Sequence, residues 1–145
     1  MNIFEEISDM FFVEVKDLPA SEGDIISLQN FSTIKVPNDY EEMSKIATEL
    51  EINVKNQMYI RIWSPLGCIE MNEAHRIQKY IPESLAIGDD EGGYVLIYME
   101  GKEGFGLYMV GFGNIDVEDA VLVAPSLRDL LINNIGIDVV MSGYV

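Results

Sequence analysis

The first part of the chain carries a strand pattern followed by a helical pattern. Residues 11–15 are rich in β-forming side chains, which predicts a strand. Ser21 can cap a helix after it, because Ile25, Leu28 and Phe31 recur at a spacing that places them on one helical face. The pattern therefore predicts a strand and then a helix that buries this apolar face.

A second helix is predicted to begin near Pro37 and Asn38. Asn38 can cap it, and Glu41 stands three residues later, as in a capping box. The apolar stripe of this helix is formed by Tyr40, Met43, Ile46, Ala47 and Leu50. Residues 69–79 mix apolar and polar side chains without a clear period, and we expect a loop with one helical turn there.

The second half is dominated by short apolar runs between glycine-rich turns. These runs are residues 58–63, 85–87, 94–99, 105–110 and 121–123. Antiparallel hairpins are expected among the three middle runs, because parallel pairing needs a crossover of about a dozen residues or more. Ser126 can cap a last helix that Gly136 ends. The apolar tail, residues 137–145, is predicted to dock as an edge strand.

These elements predict an α+β fold in a single domain over residues 1–145. The sheet is expected to be antiparallel, with about four to six strands and helices packed on one face. The length of 145 residues suits one domain, and an apolar fraction of 48% predicts a packed globule.

The surroundings of the protein are constrained by cysteine usage and by the N-terminus. Cys68 is the single cysteine, so no internal disulfide can form and a reducing compartment is favoured. The first ten residues carry acids where a signal peptide needs basic residues. No apolar run approaches the ~18 residues of a membrane span. We expect a soluble cytoplasmic protein that does not contact membranes.

The net charge of −16 limits the classes of partner. A surface with 25 acids and nine basic residues repels nucleic acid and anionic lipid, and attracts basic proteins. The charge can equally serve solubility alone. Direct nucleic-acid binding is therefore not expected, and a basic protein partner is one of two open interpretations.

The acidic turn at residues 88–93, GDDEGG, invites a metal hypothesis. Calcium loops alternate ligands with spacers so that oxygens converge, whereas three consecutive acids diverge. We expect a solvated turn or a partner contact, and neither a metal nor a cofactor. Cys68 and His75 are seven residues apart, and Asn72 could serve as an orienting third group, but a segment that follows Pro65 and Gly67 defines no geometry for such a set. A core cysteine, a surface histidine and no catalytic residue are expected.

Six blocks of the chain, in order, resemble the SUKH superfamily, which includes the yeast cell-wall regulator Smi/Knr and many bacterial immunity proteins. The blocks are residues 20–25, 36–41 (VPNDYE, similar to the family's LPxDY), 59–63 (YIRIW), 80–82, 85–90 (LAIGDD) and a last one formed by 118–120 with 124–131. Two departures fall on predicted loops. Residues 50–56 lack the Asn-Gly-Gly that often follows the second helix, and Glu91 interrupts the glycine run of the acidic turn.

The resemblance implies a non-catalytic protein-binding module of the immunity type, which neutralises a basic toxin or nuclease through an acidic surface. A nuclease must be basic to hold phosphates, so an acidic inhibitor suits it. The alternatives are a housekeeping regulatory member, with self-association as a homodimer, and a small-molecule-binding member. The candidate partner-binding residues are Asp89, Asp90, Glu91, Glu100, Glu103, Asp116, Glu118 and Asp119.

Overall fold

The computed structural model describes residues 2–142, which form one seven-stranded antiparallel sheet with helices. The strands are β1 (Phe11–Asp17), β2 (Thr48–Val54), β3 (Met58–Ile62), β4 (Ser84–Asp89), β5 (Tyr94–Gly101), β6 (Gly104–Gly111) and β7 (Val121–Ala124). The helices are α1 (Ile3–Glu6), α2 (Glu22–Phe31), α3 (Asn38–Ser44), α4 (Pro65–Ala74), α5 (Ile77–Tyr80), α6 (Leu127–Asn133) and α7 (Ile137–Ser142), with one 3-10 turn at Val117–Asp119. Each strand pairs with its neighbours in sequence, from β1 to β7. The predicted α+β class and antiparallel meander are confirmed.

The sheet has more strands than the four to six predicted, and β2 is the strand that the helical pattern concealed. α3 ends at Ser44, and Leu50 belongs to β2 rather than to a helical stripe. Burial alternates residue by residue along β2, as a strand with one covered face requires. Lys55 and Asn56, with φ of 53° and 60°, then turn the chain into β3. α3 is preceded by Pro37, and no side chain caps it, so the predicted capping role of Asn38 is wrong.

The centre of the sheet is covered on both faces, which corrects the prediction of helices on one face. All six residues of β4 are buried, as are residues 95–99 of β5 and 106–110 of β6. The helices form two contacting groups, with α3 and α6 beside α1, and α2 and α5 beside α4. In β2, by contrast, buried residues alternate with partly exposed ones, so one face of the sheet remains accessible to solvent at this strand.

β3 and β4 pair over a short stretch only, and beyond it a side chain from α4 makes the hydrogen bonds to β4 that a neighbouring strand would otherwise make. These two strands pair at only two positions, Arg61 with Asp89 and Ile62 with Gly88. Farther along β4, the buried side chain of Asn72 donates to the carbonyl of Ala86 at 2.8 Å and accepts from its N–H at 3.1 Å. Buried backbone groups need such partners. Residues 69–79, predicted as a loop with one helical turn, belong mainly to α4 and α5. α4 presents the Asn72 side chain to the sheet.

The end of the chain is helical up to residue 142. The predicted edge strand over residues 137–145 is wrong for residues 137–142, which form α7, and residues 143–145 lie outside the described part. Gly136 precedes this helix at φ 83°, where a Cβ would overlap the carbonyl oxygen of Val123 in β7. The turn therefore packs directly on the backbone of β7. Among residues 2–142, no helix is long and apolar enough to cross a membrane.

Candidate functional site

Five of the eight predicted partner-binding acids lie at the two opposite ends of β5, and the other three lie at the 3-10 turn. Asp89, Asp90 and Glu91 lie in and beside the β4–β5 turn, whereas Glu100 and Glu103 lie at the β5–β6 turn. The two turns are separated by the length of β5, which is about 20 Å from Tyr94 to Glu100 at the usual rise per residue. Asp116, Glu118 and Asp119 lie at the 3-10 turn. Glu118 pairs with Lys102 of the β5–β6 turn at 3.4 Å, whereas Asp116 lines a cleft with Phe112, whose N–H donates to the carbonyl of Gly93 at the other end of β5. The acids do not form one continuous surface.

Two of the three carboxylates at the β4–β5 turn build the turn itself. Asp89 is only 7% exposed, and its oxygens accept from the indole N–H of Trp63 at 2.9 Å and from the backbone N–H of Glu91 at 2.8 Å. Asp90 accepts from the backbone N–H groups of Gly92 and Tyr94 at 2.8 and 3.0 Å. These bonds fix the turn and leave the side chain of Glu91 directed to Arg61, at 3.4 Å.

An acidic cleft of about 370 Å³ opens beside this turn, between the outward face of β2 and β3 and the start of α4. Its walls include Glu49, Glu70, Asp89 and a single cation, Arg61. Two more acids adjoin that cation, because Glu51 is its register partner in β2 and Glu91 its ion-pair partner. We call this set of Glu49, Glu51, Glu70, Asp89 and Glu91 around Arg61 the acidic cleft.

The carboxylates of the acidic cleft affect one another. Desolvation raises the pKa of Glu91 above its ordinary value, Arg61 opposes that shift, and the charges of Glu51 and Asp89 add to it. Negative charge is therefore in excess around the one guanidinium. A further cation entering from a partner would be attracted to this cleft.

Glu49 gives the acidic cleft a rigid wall. Its backbone has a φ of 49°, in the left-handed region, and its carboxylate accepts from the backbone N–H of Ser64 at 2.6 Å. The Ser64 hydroxyl in turn caps α4 by accepting from the N–H of Gly67 at 3.0 Å. A Cβ at Gly67 would come within 2.8 Å of the Glu49 carboxylate. The start of α4 is thus held against β2 by a carboxylate that accepts from the N–H of the residue capping the helix.

Residues of the VPNDY, RIW and GDD blocks form one chain of hydrogen bonds beneath the acidic cleft. The buried hydroxyl of Tyr40 donates to the carbonyl of Trp63 at 2.6 Å, and the Trp63 indole donates to Asp89. α3, the end of β3 and the acidic turn are thereby linked through side chains that are each under a tenth exposed. This chain gives the motif residues a structural role that their spacing in sequence did not reveal.

Asp39, next to Tyr40, begins a second chain toward the C-terminal helix. Its carboxylate accepts from the Tyr98 hydroxyl at 2.8 Å and from the backbone N–H of Arg128 at 3.0 Å. The Tyr98 hydroxyl also accepts from the N–H of Leu127 at 2.6 Å. One carboxylate therefore joins α3, the centre of the sheet and the start of α6.

Cys68 and His75 lie at different places and do different things. The thiol of Cys68 is fully buried beside the Tyr40 hydroxyl, and burial raises its pKa to about 12. His75 ends α4, and its ring contacts that of Phe112 at 4.4 Å between centroids. A thiol with so high a pKa is protonated at neutral pH and is a weak nucleophile. Within residues 2–142, no three His, Cys, Asp or Glu side chains are arranged to hold a metal ion.

Alkaline pH is expected to destabilise the protein through Cys68. Burial raises the pKa of this thiol from 9.0 to about 12. The unfolded chain therefore loses the proton at lower pH than the folded chain, and the free energy of unfolding falls as pH rises between these values. At pH 10 this one group should cost about 1.4 kcal/mol. Urea unfolding of the wild type and of Cys68→Ala, from about pH 8 to pH 10, measures the difference.

The acidic turn was singled out from the sequence, but the rest of the acidic cleft was missed. The overlooked residues are Glu49, Glu51, Arg61, Trp63 and Glu70. The signal that could have found two of them is the alternation T-E-L-E-I-N-V at residues 48–54, which places acids on the outward face of a strand. Glu70 comes from α4, and no sequence pattern places it beside β2.

Comparison with known families confirms the resemblance that the motif blocks suggested. A family model described as SMI1 / KNR4 family (SUKH-1) matches residues 19–133, which is most of the chain. The matched segment contains every residue of the acidic cleft and both hydrogen-bonded chains that hold it. No curated protein matches the chain.

Proposed function

The chain belongs to the SMI1 / KNR4 family (SUKH-1), and from this premise we propose that it is a non-catalytic, immunity-type protein that binds and neutralises a basic protein partner. The partner class that fits is a toxin or nuclease domain, whose own surface must be cationic to hold phosphates. A lysine or arginine of that partner would enter the acidic cleft and take a place beside Glu70 and Glu91.

The observation that carries the proposal is that five carboxylates surround one guanidinium in the acidic cleft. This excess of negative charge lowers the energy of an incoming cation and speeds its encounter at low salt. Asp89 is buried and maintains the turn. The contact is therefore assigned to the more exposed carboxylates around it, with Asp90 at the rim.

Apolar anchors lie on the same side as the acidic cleft. Leu66, at the start of α4, is 50% exposed and lines the cleft. Phe12, in β1, is 66% exposed and pairs in register with Asn53, two residues from Glu51 on the same outward face. Charge pairs at a surface each contribute little, so stable binding needs desolvated apolar contacts of this kind. The surface offers both.

Two triple variants test which acids carry the binding. The cleft variant combines Glu51→Gln, Glu70→Gln and Glu91→Gln. The control combines Glu100→Gln, Glu103→Gln and Glu118→Gln at the other end of β5. Each removes three negative charges, and each breaks one surface ion pair, with Arg61 or with Lys102. Net charge and local disruption are therefore matched.

The expected result is selective loss in the cleft variant. Affinity capture from a lysate of the producing cells, with mass spectrometry, should recover a basic protein with the wild type and with the control variant. The same protein should be released at high salt, and its association rate with the cleft variant should fall about tenfold or more at low salt. A partner retained equally by all three proteins at high salt would instead favour the housekeeping regulatory function. Equal loss in both variants would remove the acidic cleft as the site.

A further inference from the structure

A second cleft, of about 530 Å³, lies where α4 meets α5, facing the loop that follows β6. The residues that matter in its lining are His75, Arg76, Tyr80, Phe112 and Asp116. Its volume lies within the range of small-molecule sites. In contrast to the acidic cleft, its walls combine positive charge with aromatic rings.

The positive charge in this cleft is unusual for a protein of net charge −16. Four of the nine basic side chains form ion pairs, namely Lys45, Arg61, Lys102 and Arg128. Within residues 2–142, Arg76 and Lys79 have no acidic ion-pair partner, and they are only three residues apart in the sequence. Arg76 is therefore an unpaired cation that lines this cleft, and Lys79 is a second one just outside the lining, in α5.

Arg76 also has a costly backbone conformation. Its φ of 53° and ψ of 41° lie in the left-handed region, where a helix end usually carries glycine. In the described part of the chain, no side-chain hydrogen bond or ion pair of Arg76 compensates for that cost. Five other described non-glycine residues also have a positive φ, so the argument for a ligand rests on the position of the unpaired Arg76 guanidinium in the cleft and not on its backbone.

Aromatic rings form the other part of the cleft. The ring of Phe112 lies against that of His75, with centroids 4.4 Å apart and planes at 40°. Tyr80 is 52% exposed, and the Lys79 ammonium lies 5.6 Å from the centre of its ring. Exposed aromatic faces beside cations are the features with which proteins stack planar rings and hold phosphates.

We propose that this cleft binds a small molecule that joins a planar ring to a phosphate, which is the chemistry of a nucleotide. Arg76 would contact the phosphate, and Tyr80 and Phe112 would contact the ring, while Lys79 beside Tyr80 adds positive charge at the edge of the cleft. Asp116 already accepts from the N–H of Glu118 at 2.9 Å through one oxygen, and its other oxygen can accept from a sugar hydroxyl. This function is separate from the binding of a protein partner and does not depend on it.

The net negative charge of the protein does not prevent such binding. At physiological ionic strength, charges beyond about 8 Å are largely screened, so the nearest groups decide the local potential. Asp116 is the one acid that lines this cleft. Modest affinity is expected, in the micromolar to millimolar range, since part of the attraction is offset by the remaining acids.

The first test is an NMR titration of the full chain with three probes: AMP, adenosine and inorganic phosphate. AMP should bind at least about tenfold more tightly than either of the other two, because it combines stacking with charge-assisted hydrogen bonds. Shifts should concentrate at residues 75–80 and 112–116. Equal affinity for phosphate and AMP, shifts centred elsewhere, or no binding at millimolar AMP would each overturn the proposal.

The second test compares Arg76→Gly with Lys55→Gly. Lys55 shares the φ of 53° and lies in the β2–β3 turn, so both changes remove one cation and relieve one left-handed residue. Both variants should fold with unchanged or higher thermal stability. Arg76→Gly should lose AMP affinity about tenfold or more, to the level of adenosine, whereas Lys55→Gly should bind as the wild type does. Wild-type AMP affinity in Arg76→Gly, or an equal loss in both, would overturn the proposal.

Discussion

Gly88→Ala should destabilise the protein by about 3 kcal/mol or more, since a side chain there overlaps backbone that cannot move away. A Cβ at Gly88 would overlap the carbonyl oxygen of Arg61 and come within 3.2 Å of the Cδ1 of Ile62. These two residues are the only β3 positions that pair with β4. Relieving the overlap would separate the two strands at their single junction and disturb the acidic cleft. Urea unfolding at neutral pH measures the effect.

Gly92→Ala is the matched control for that experiment. Gly92 lies four residues further on in the same acidic turn, and its Cβ would meet no atom closer than 3.5 Å. Its unfolding free energy should stay within about 0.5 kcal/mol of the wild type. If Gly88→Ala were as stable as Gly92→Ala, β3 and β4 would not approach closely enough for a Cβ at Gly88 to overlap the carbonyl oxygen of Arg61.

Tyr98→Phe should destabilise the protein by about 2 to 3 kcal/mol, because it removes a buried hydroxyl with two partners. That hydroxyl donates to Asp39 and accepts from the N–H of Leu127, and both Tyr98 and Leu127 are almost fully buried. Without it, a buried N–H loses its acceptor at the start of α6, and a carboxylate loses a donor. Desolvation and the charge of Asp39 raise the pKa of Tyr98 far above its ordinary value, so the hydroxyl keeps its proton for this role.

Tyr59→Phe provides the control for Tyr98→Phe. The Tyr59 hydroxyl also donates to a carboxylate, that of Glu14 at 3.0 Å, but this bond is at the surface. Water replaces it at little cost, so Tyr59→Phe should change the unfolding free energy by about 0.5 kcal/mol or less. Similar losses in the two variants would contradict a special role for the buried chain.

A double-mutant cycle separates the Asp39–Tyr98 pair from the rest of the network. Asp39→Ala removes the acceptor for Tyr98 and also for the N–H groups of Tyr40 and Arg128. Combined with Tyr98→Phe, it should show a coupling of about 1 kcal/mol or more, since the two side chains share one hydrogen bond. Strict additivity would mean that each residue acts through other contacts.

Local signals in the sequence predicted the elements that depend on neighbouring residues. Ser21 and Ser126 cap α2 and α6 as expected, by accepting from the N–H groups of Asp24 and Asp129. The hairpins of β4, β5 and β6 also follow the glycine-rich turns. In contrast, β2 was missed because its buried residues continued the apolar spacing of α3. α4 and α5 were missed because residues 69–79 mix apolar and polar side chains, and the face of α4 on β4 buries the polar Asn72.

The acidic turn was predicted, but its chemistry depends on residues far away in the chain. Asp89 looked like a candidate contact, and the Trp63 indole, 26 positions earlier, makes it part of the core instead. The cleft beside it needs β2, β3 and α4 at once. The second cleft, between α4, α5 and the loop after β6, likewise brings Arg76 and Phe112 together, and neither residue belongs to a recognisable motif.

The sequence alone determined the fold class, the order of hairpins and the two serine caps, because capping, turn chemistry and periodicity act over a few residues. Its six motif blocks also indicated the family. The tertiary structure alone decided which carboxylates share a surface and which are buried in the framework. Those outcomes depend on distances between elements, which are set by how side chains such as Asn72, Trp63 and Tyr98 satisfy polar groups across the sheet.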